Sequence, residues 1–330
     1  MTVAIASLNT AVERHLTVDG HRPGSVHRLA ADRTLAGGKG VNVARVLTQL
    51  AAAGAPPARP HLFGFLGGPT GRLVAELLGG EGLEGTWRPS AGGTRICEVL
   101  VDLADPEGAT VYNASGPRIA AAELADLEET VAPLIADAGA LVCTGSLPPG
   151  VPDDFYGRLI TAARRSGTLS VLDAHGRVLR AGAAAGPDIV KVNRDELLGA
   201  GGGSEHGPVP GWLGAGVRCV IVTDGARPTR ALTPDGWYEV TAPAVPTRSA
   251  VGSGDAFCAG LVHSLVTGDP GTPWRDHLRF AAACGASNAA SLTAGLAPDQ
   301  PPAALIARAG ITGTPPGTDG PAAFLAPPRP

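Results

Sequence analysis

From residue 120 onward the chain alternates short apolar runs with longer stretches of helical spacing, and this alternation constrains the fold more than any other feature. Helical spacing over 121–136 and 153–165 is interleaved with strand-like runs at 141–144, 169–173, 189–192 and 217–223. Continuous apolar strands separated by helices predict a parallel sheet covered on both faces. The N-terminal third continues the pattern, with strands at 3–8 and 61–67 and helices over 41–50 and 70–78, and further helices are predicted at 255–265, 276–292 and 302–309. Two half-exposed strand pairs interrupt it. One is 16–18 with 25–33, joined through His21-Arg22-Pro23-Gly24, and the other is 94–103 with 109–113 around the turn Asp105-Pro106-Glu107-Gly108. Together they predict a small separate sheet. Residues 313–330 are rich in Pro and Gly and are expected to be a disordered tail.

In an open α/β sheet, ligands bind outside the carboxyl ends of the strands. Polar clusters follow the predicted strands here: Gly145-Ser146 after 141–144, Asp173-Ala174-His175-Gly176 at the end of 169–173, Asn193 to Glu196 after 189–192, and Thr223-Asp224-Gly225 after 217–222. The most informative segment is Val251-Gly252-Ser253-Gly254-Asp255-Ala256-Phe257, where two glycines and a carboxylate stand at the start of an apolar helix. Free first-turn amides and glycine turns make an anion cradle, and an aspartate there can take a proton from a hydroxyl. The same residues also suit a plain helix cap. A second glycine turn, Gly37-Gly38-Lys39-Gly40, opens another helix and has neither the P-loop nor the dinucleotide spacing. With Asn42 one turn in, it suits a phosphorylated or polyhydroxylated ligand.

Composition sharpens this picture. Of 26 Lys and Arg residues only Lys39 and Lys191 are lysines, and a compact ammonium and a guanidinium fork are not interchangeable in a tightly built site. With 17% charged residues and a net charge of −4, the chain lacks the basic footprint of a nucleic-acid or anionic-membrane binder. No run approaches transmembrane length and residues 1–10 lead straight into a strand, so a cytoplasmic location is expected. The five cysteines are scattered without a C-x-x-C pair, which points to packing rather than to zinc or disulfides.

Eight segments in order resemble the PfkB, or ribokinase-like, family of carbohydrate kinases, in its group of 1-phosphofructokinases and tagatose-6-phosphate kinases. They are L-N-T-A-V-E from Leu8, A-G-G-K-G-V-N-V-A-R-V-L from Ala36, F-L-G-G from Phe65, G-T-R from Gly93, N-A-S-G-P from Asn113, T-G-S-L-P-P-G from Thr144, K-V-N-R-D-E-L from Lys191 and V-G-S-G-D-A-F from Val251. The resemblance implies a three-layer α/β/α core with a mostly parallel sheet and a small β-sheet lid. It would make residues 1–312 one kinase domain, with lid strands at about 13–35 and 93–115.

The resemblance also implies transfer of the γ-phosphoryl group of ATP, with Mg2+, to a hydroxyl of a sugar phosphate of the fructose 1-phosphate, fructose 6-phosphate or tagatose 6-phosphate type. Asp255 would be the general base and the amides of Gly252, Ser253 and Gly254 the anion hole. Glu13, Gly38, Lys39, Asn42, Arg95 and Ser146 would bind the acceptor. Lys191, Asn193, Glu196, Thr223, Gly225, Ser287 and Asn288 would serve the nucleotide, with Asn193 and Glu196, read as one helical face at i, i+3, holding magnesium through water. An exposed lid face could pair with the lid of a second copy.

Four departures from the family pattern fall on acceptor or lid segments: Glu13 for the usual aspartate, Cys97 for an asparagine, Asp173-Ala174-His175-Gly176 for D-T-S-G, and Asn113-Ala114-Ser115-Gly116-Pro117 for N-E-P-G-P. The phosphoryl-transfer segment is intact. An altered acceptor, such as a nucleoside or a specialised-metabolite alcohol, therefore stands as an alternative. A non-catalytic nucleotide or sugar-phosphate sensor is another.

Overall fold

The computed structural model describes residues 1–200 and 207–314. Its first half runs β1 (Thr2–Ala6), β2 (Ala11–Val18), β3 (Ala31–Gly37), α1 (Lys39–Ala52), β4 (Arg59–Leu66), α2 (Gly68–Gly80), β5 (Gly85–Pro89), β6 (Arg95–Asp102), β7 (Asp105–Asn113), α3 (Ala121–Asp137) and β8 (Ala140–Thr144). The second half runs α4 (Phe155–Ser166), β9 (Leu169–Asp173), α5 (Gly176–Ala184), β10 (Ile189–Asn193), α6 (Arg194–Ala200), α7 (Val209–Gly214), β11 (Cys219–Asp224), β12 (Arg227–Thr233), β13 (Gly236–Thr241), α8 (Ser253–Thr267), α9 (Trp274–Ala289), α10 (Pro302–Leu305) and β14 (Gly310–Thr314). Among the described residues the large sheet has ten strands in the order β14-β13-β12-β11-β10-β9-β8-β1-β4-β5. From β11 through β5 neighbouring strands are parallel, and β12, β13 and β14 extend the sheet antiparallel.

The period of two along a strand sets the layers. In β1, Val3 and Ile5 join a core with residues of α1, α2, α8 and α9, while Ala4 and Ala6 face the opposite core with residues of α3, α4, α5, α6 and α7. Both faces are thus covered, and β8 is buried along its whole length, as its run Ala-Leu-Val-Cys-Thr requires. Helix α8 is buried nearly all round, from Asp255 to His263, because α1 and α9 flank it. This gives the aspartate at its first turn a protein environment rather than a solvent one.

The second sheet is four-stranded in the order β3-β2-β6-β7, with β2 and β6 parallel and both edges antiparallel. The predicted lid therefore forms, with its strands shifted. The second lid strand is Ala31–Gly37 rather than 25–33, since β2 extends back to Ala11 and its register carries the partner toward Gly37. The β6–β7 turn falls at Leu103-Ala104, because Asp102 caps it by accepting from the Ala104 amide, and Asp105 already pairs with Asp102. Strands β5, β12, β13 and β14 were not anticipated. Gly313 and Thr314, assigned above to a disordered tail, pair with β13 as the end of β14, and the rest of that tail lies outside the described residues.

One buried contact links this scaffold to the loop at the end of β8. Tyr156 of α4 is fully buried, and its hydroxyl donates to the Thr144 carbonyl at 2.8 Å, where the chain leaves the sheet for Gly145-Ser146. Removing the hydroxyl strands a buried carbonyl. Tyr156→Phe is expected to lower unfolding free energy in urea by about 1–2 kcal/mol, with an unchanged denaturant slope.

Candidate active site

The carboxyl ends of β1, β8, β9, β10 and β11 open into a cleft of about 1500 Å³ between the large sheet and the lid. A single small ligand commonly fills some 300–1,000 Å³, so the cleft has room for a nucleotide and a second substrate together. Its lining takes Asn9 from just after β1, Glu13, Arg95 and Cys97 from the lid, Lys39 and Asn42 from α1, Ser146 after β8, Asn193 at the end of β10 and Glu196 beyond it, Thr223 near the end of β11 and Gly225 after it, and Gly252 to Asp255 at α8.

Both lysines of the chain converge on one carboxylate. Asp173, with no exposed surface, accepts from Lys191 Nζ at 2.7 Å and from Lys39 Nζ at 3.1 Å. Burial by itself would raise Asp173, but the two ammonium groups outweigh it and hold its carboxyl down at about 2. Coulombic attraction to Asp173 in turn raises Lys39, which also lies 3.6 Å from Glu196. Lys191 is raised too, against the opposing effect of its own burial. Asp173 was visible in the sequence as a polar residue at a strand end and as the start of the altered D-T-S-G stretch, with no role given to it, and its central position comes from the sheet order that sets β9 beside β10.

Asp255 lies beside this cluster, 6% exposed, accepting from Asn42 Nδ2 at 2.8 Å. Desolvation raises its carboxyl to about 6, with Lys39 and the Asn42 bond pulling the other way and Asp173 adding to the rise. A carboxyl so placed is ionised at neutral pH yet basic enough to accept a hydroxyl proton. Gly252, the N-cap of α8, has φ +84°, and a Cβ there would stand 2.7 Å from the Ala294 methyl carbon, so the turn demands glycine. The cradle is narrower than the three amides predicted. The Ser253 amide closes a turn on the Ala250 carbonyl at 3.2 Å, which leaves the amides of Gly252 and Gly254.

Other predicted residues take positions the motifs did not foretell. Asn193 ends β10 instead of sharing a helical face with Glu196, and their spacing is that of a capping box. The Asn193 amide donates to Glu196 Oε2 at 2.9 Å, and the Glu196 amide donates to Asn193 Oδ1 at 2.7 Å. Glu196 Oε1 remains on the Lys39 side. Ser287 and Asn288 do not line the cleft. Ser287 Oγ accepts from the Ala297 amide, and Asn288 Nδ2 donates to Val251 O and Ser253 Oγ, so Asn288 braces the cradle from behind. The α9 residues that do line the cleft are Ala282, Gly285, Ala286 and Ala289. Small side chains there left no polar signal to find.

On the lid side, Arg95 donates to the carbonyls of Asn9 and Ala114, both at 2.8 Å, and Asn9 Nδ2 donates to Ser146 Oγ at 3.0 Å. Glu13 pairs with the buried His15 at 2.7 Å and sits opposite Cys97 in register. Arg177 and Asp153, ion-paired at 3.0 Å, line the cleft mouth beside His175; no motif had singled them out.

Residues 2–300 match the pfkB family of carbohydrate kinases. The chain belongs to that family. The 1-phosphofructokinase of Rhodobacter capsulatus is 36% identical over 279 residues, covering 81% of this chain and 85% of that protein. The 1-phosphofructokinase of Xanthomonas campestris pv. campestris is 31% identical over 274 residues, covering 79% and 83%. Among solved structures, phosphofructokinase-2 from Escherichia coli in complex with substrates and products matches with a TM-score of 0.81 at 24% identity, covering 93% of this chain and 99% of that one. A possible 1-phosphofructokinase from Thermotoga maritima matches with a TM-score of 0.82 at 19% identity, covering 95% and 100%. These two likenesses establish the ribokinase-like fold of this kinase.

The buried charge cluster makes a direct prediction. Asp173→Asn in this kinase leaves the Lys191 ammonium buried without its carboxylate and is expected to cost about 3 kcal/mol in a urea melt at neutral pH. Because the native carboxyl titrates at about 2, below its unfolded value near 4, the wild-type advantage is complete above about pH 4 and fades as pH falls toward 2. A loss that stays the same from pH 7 down to pH 2 would show that packing, rather than charge, sets the cost.

Proposed function

We propose that the chain transfers the γ-phosphoryl group of ATP to a primary hydroxyl of a ketohexose phosphate, with fructose 1-phosphate as the first candidate. The observation that carries this reading is Asp255 beside the Gly252–Gly254 turn, in a cleft that also holds two lysines and Arg95. In the proposed step the acceptor hydroxyl oxygen attacks the γ-phosphorus and its proton passes to Asp255. The bond from that phosphorus to the ADP oxygen breaks, and the amides of Gly252 and Gly254 stabilise charge on the moving group. Lys39 and Arg95 are cations suited to an acceptor that already carries a phosphate. The two curated relatives named 1-phosphofructokinase support the choice among sugar phosphates.

Magnesium would enter the cleft with the nucleotide substrate. Asn193 Oδ1 and Glu196 Oε2 are spent on each other's amides, so Glu196 Oε1 is the oxygen that suits a water-bridged contact to the metal. Thr223 and Gly225 belong to the nucleotide side of the cleft, and the α9 residues Ala282, Gly285, Ala286 and Ala289 suit an apolar base better than Ser287 and Asn288 do. A cytoplasmic location, a single working unit over 1–312 and pairing of two copies through the lid belong to the same reading. The lid carries exposed Ile96, Val111 and Tyr112. Among the described residues no helix is long and apolar enough to cross a membrane.

The kinase with an altered acceptor is kept as a second reading because Glu13 is tied to His15 and faces Cys97 where the family pattern has an aspartate and an asparagine. ADP release measured against fructose 1-phosphate, fructose 6-phosphate, tagatose 6-phosphate and unphosphorylated alcohols separates the two. Ordinary kinase efficiency with fructose 1-phosphate supports the first reading, and turnover confined to an unphosphorylated alcohol supports the second. Asp255→Asn is expected to lower kcat by at least about 10³-fold while ATP affinity stays within a few-fold. In the wild type, kcat should fall tenfold per pH unit below about pH 6, as the base is protonated.

A further inference from the structure

Arg45 lies on α1 one turn beyond Asn42 and is 8% exposed. Its guanidinium reaches four parts of the fold. Nε and Nη2 grip Glu81, at the end of α2, at 2.5 and 2.8 Å. Nη2 also donates to the Ala36 carbonyl of lid strand β3 at 2.7 Å. Nη1 donates to Asn42 Oδ1 at 3.1 Å and to the Ala294 carbonyl at 3.4 Å. Ala294 is the residue against which the Gly252 turn is packed. A buried arginine with this many partners does more than cover apolar surface: Glu81 neutralises it, and Asn42, Ala36 and Ala294 each belong to, or directly support, a segment bordering the cleft.

Its bond to Asn42 has a chemical consequence. The Asn42 amide is held between Asp255 Oδ2 and Arg45 Nη1. A carboxylate only accepts and a guanidinium only donates, so a single orientation of the amide satisfies both, with Nδ2 toward Asp255 and Oδ1 toward Arg45. Without the guanidinium the reversed amide becomes available, with its oxygen against Asp255. That arrangement favours a protonated carboxyl, which can donate to it.

We propose that Arg45 is a positioning residue for phosphoryl transfer, fixing the Asn42 amide so that it donates to Asp255 and holding the Ala294 support of the Gly252 turn and the base of the lid in one frame. The proposal rests on Asp255 acting as the base. The other titratable groups around Asp255 are Lys39 on α1, Asp173 on β9, Lys191 on β10 and Cys258 on its own helix. Glu81 is the ionised partner of Arg45. Replacing Arg45 leaves these groups in place but removes its own charge and unpairs Glu81, so a change in Asp255 titration is assigned to the amide only if it is absent when Arg45→Met is made in the Asn42→Ala background.

The test compares wild type, Arg45→Met, Arg45→Lys, Asn42→Ala and the Arg45→Met/Asn42→Ala double variant. Two measurements are made: kcat and KM from pH 5 to 9 with ATP and the acceptor found in the panel, and the carboxyl 13C titration of Asp255, assigned through Asp255→Asn. For Arg45→Met the acid limb of kcat and the carboxyl titration should both move up by about one pH unit. The kcat deficit should be about threefold at pH 6.5, approach tenfold at pH 5 and nearly vanish at pH 8.5, with KM values within about threefold of wild type. Arg45→Lys, which keeps a donor and a charge without the fork, should fall between the two and covers the case in which the methionine variant does not fold. The double variant should be no slower than Asn42→Ala alone, because Arg45 acts through that amide.

An unmoved carboxyl titration in both Arg45 variants, or additive losses in the double variant, overturns the proposal while leaving the kinase reading intact. A shifted titration in a protein that phosphorylates nothing in the panel upholds the effect of Arg45 on Asp255 and refutes the kinase reading and the catalytic role built on it.

Discussion

The cleft is organised around Asp173, a carboxylate with no exposed surface that is held by both lysines of the chain. A lone buried charge is costly, and a buried pair holds only when geometry and hydrogen bonding are good. The sheet supplies that geometry. Neighbouring strands β9 and β10 set Asp173 beside Lys191, and α1 brings Lys39 across the end of the sheet. With Glu196 3.6 Å from Lys39 and Asp255 alongside, the two cations at the strand ends are matched by carboxylates rather than in surplus. The start of α8 adds the positive end of its dipole to the same space. That dipole, rather than a net side-chain charge, is what would favour an anion there, and burial raises Asp255 toward neutrality.

This arrangement accounts for the survival of lysine in an arginine-rich chain. Lys191 is 4% exposed, within β10, and its ammonium fits between Asp173 and the first turn of α8, where Gly254 lies so close that a Cβ there would come within 3.2 Å of Nζ. A guanidinium is wider and planar, and would need that turn to retreat. Glycine at 254 and lysine at 191 therefore constrain each other, although 63 residues separate them in the chain. Where space is looser, as at Arg45 or Arg95, the fork is used to tie several carbonyls or carboxylates together.

The three-layer core was legible because burial on both faces writes continuous apolar runs into β8, β9, β10 and β11, and a helix between parallel strands cannot be omitted. Strands β12, β13 and β14 were not, since they extend the sheet antiparallel as a hairpin and an edge whose residues Arg227 to Thr233 and Gly310 to Thr314 alternate poorly and contain Pro or Gly. In the site, residues next to glycine turns or strand ends stood out: Lys39, Ser146, Thr223 and Asp255. Residues acting through others did not. Arg45 fell within a family segment with no role assigned to it, His15 lay just ahead of the strand predicted at 16–18, and Asn288, expected to serve the nucleotide, braces the cradle loop. Spacing announces which backbone groups are exposed to a ligand. Which side chain stands behind them depends on sheet order and helix packing, which local spacing does not encode.

The departures from the family pattern divide the cleft along the same physical line. The cradle, the lysine–aspartate cluster and Asn42 are fixed by mutual burial, where changing one group leaves another unpaired. One departure, Ala174-His175, follows Asp173 at the end of β9 in the core, whereas Glu13, Cys97 and the segment from Asn113 belong to or directly follow strands of the four-stranded lid, whose partners are mostly backbone groups. A side chain there can change without stranding a buried charge. Glu13 shows how: the longer carboxylate keeps a partner in His15, two residues along the same strand, and so remains satisfied beneath the lid. The groups around Asp173 and Asp255 are held by electrostatic interdependence, and Glu13 and Cys97 by a sheet that tolerates substitution. Under the proposed reading the lid can therefore change its side chains while the surroundings of Asp255 stay as they are.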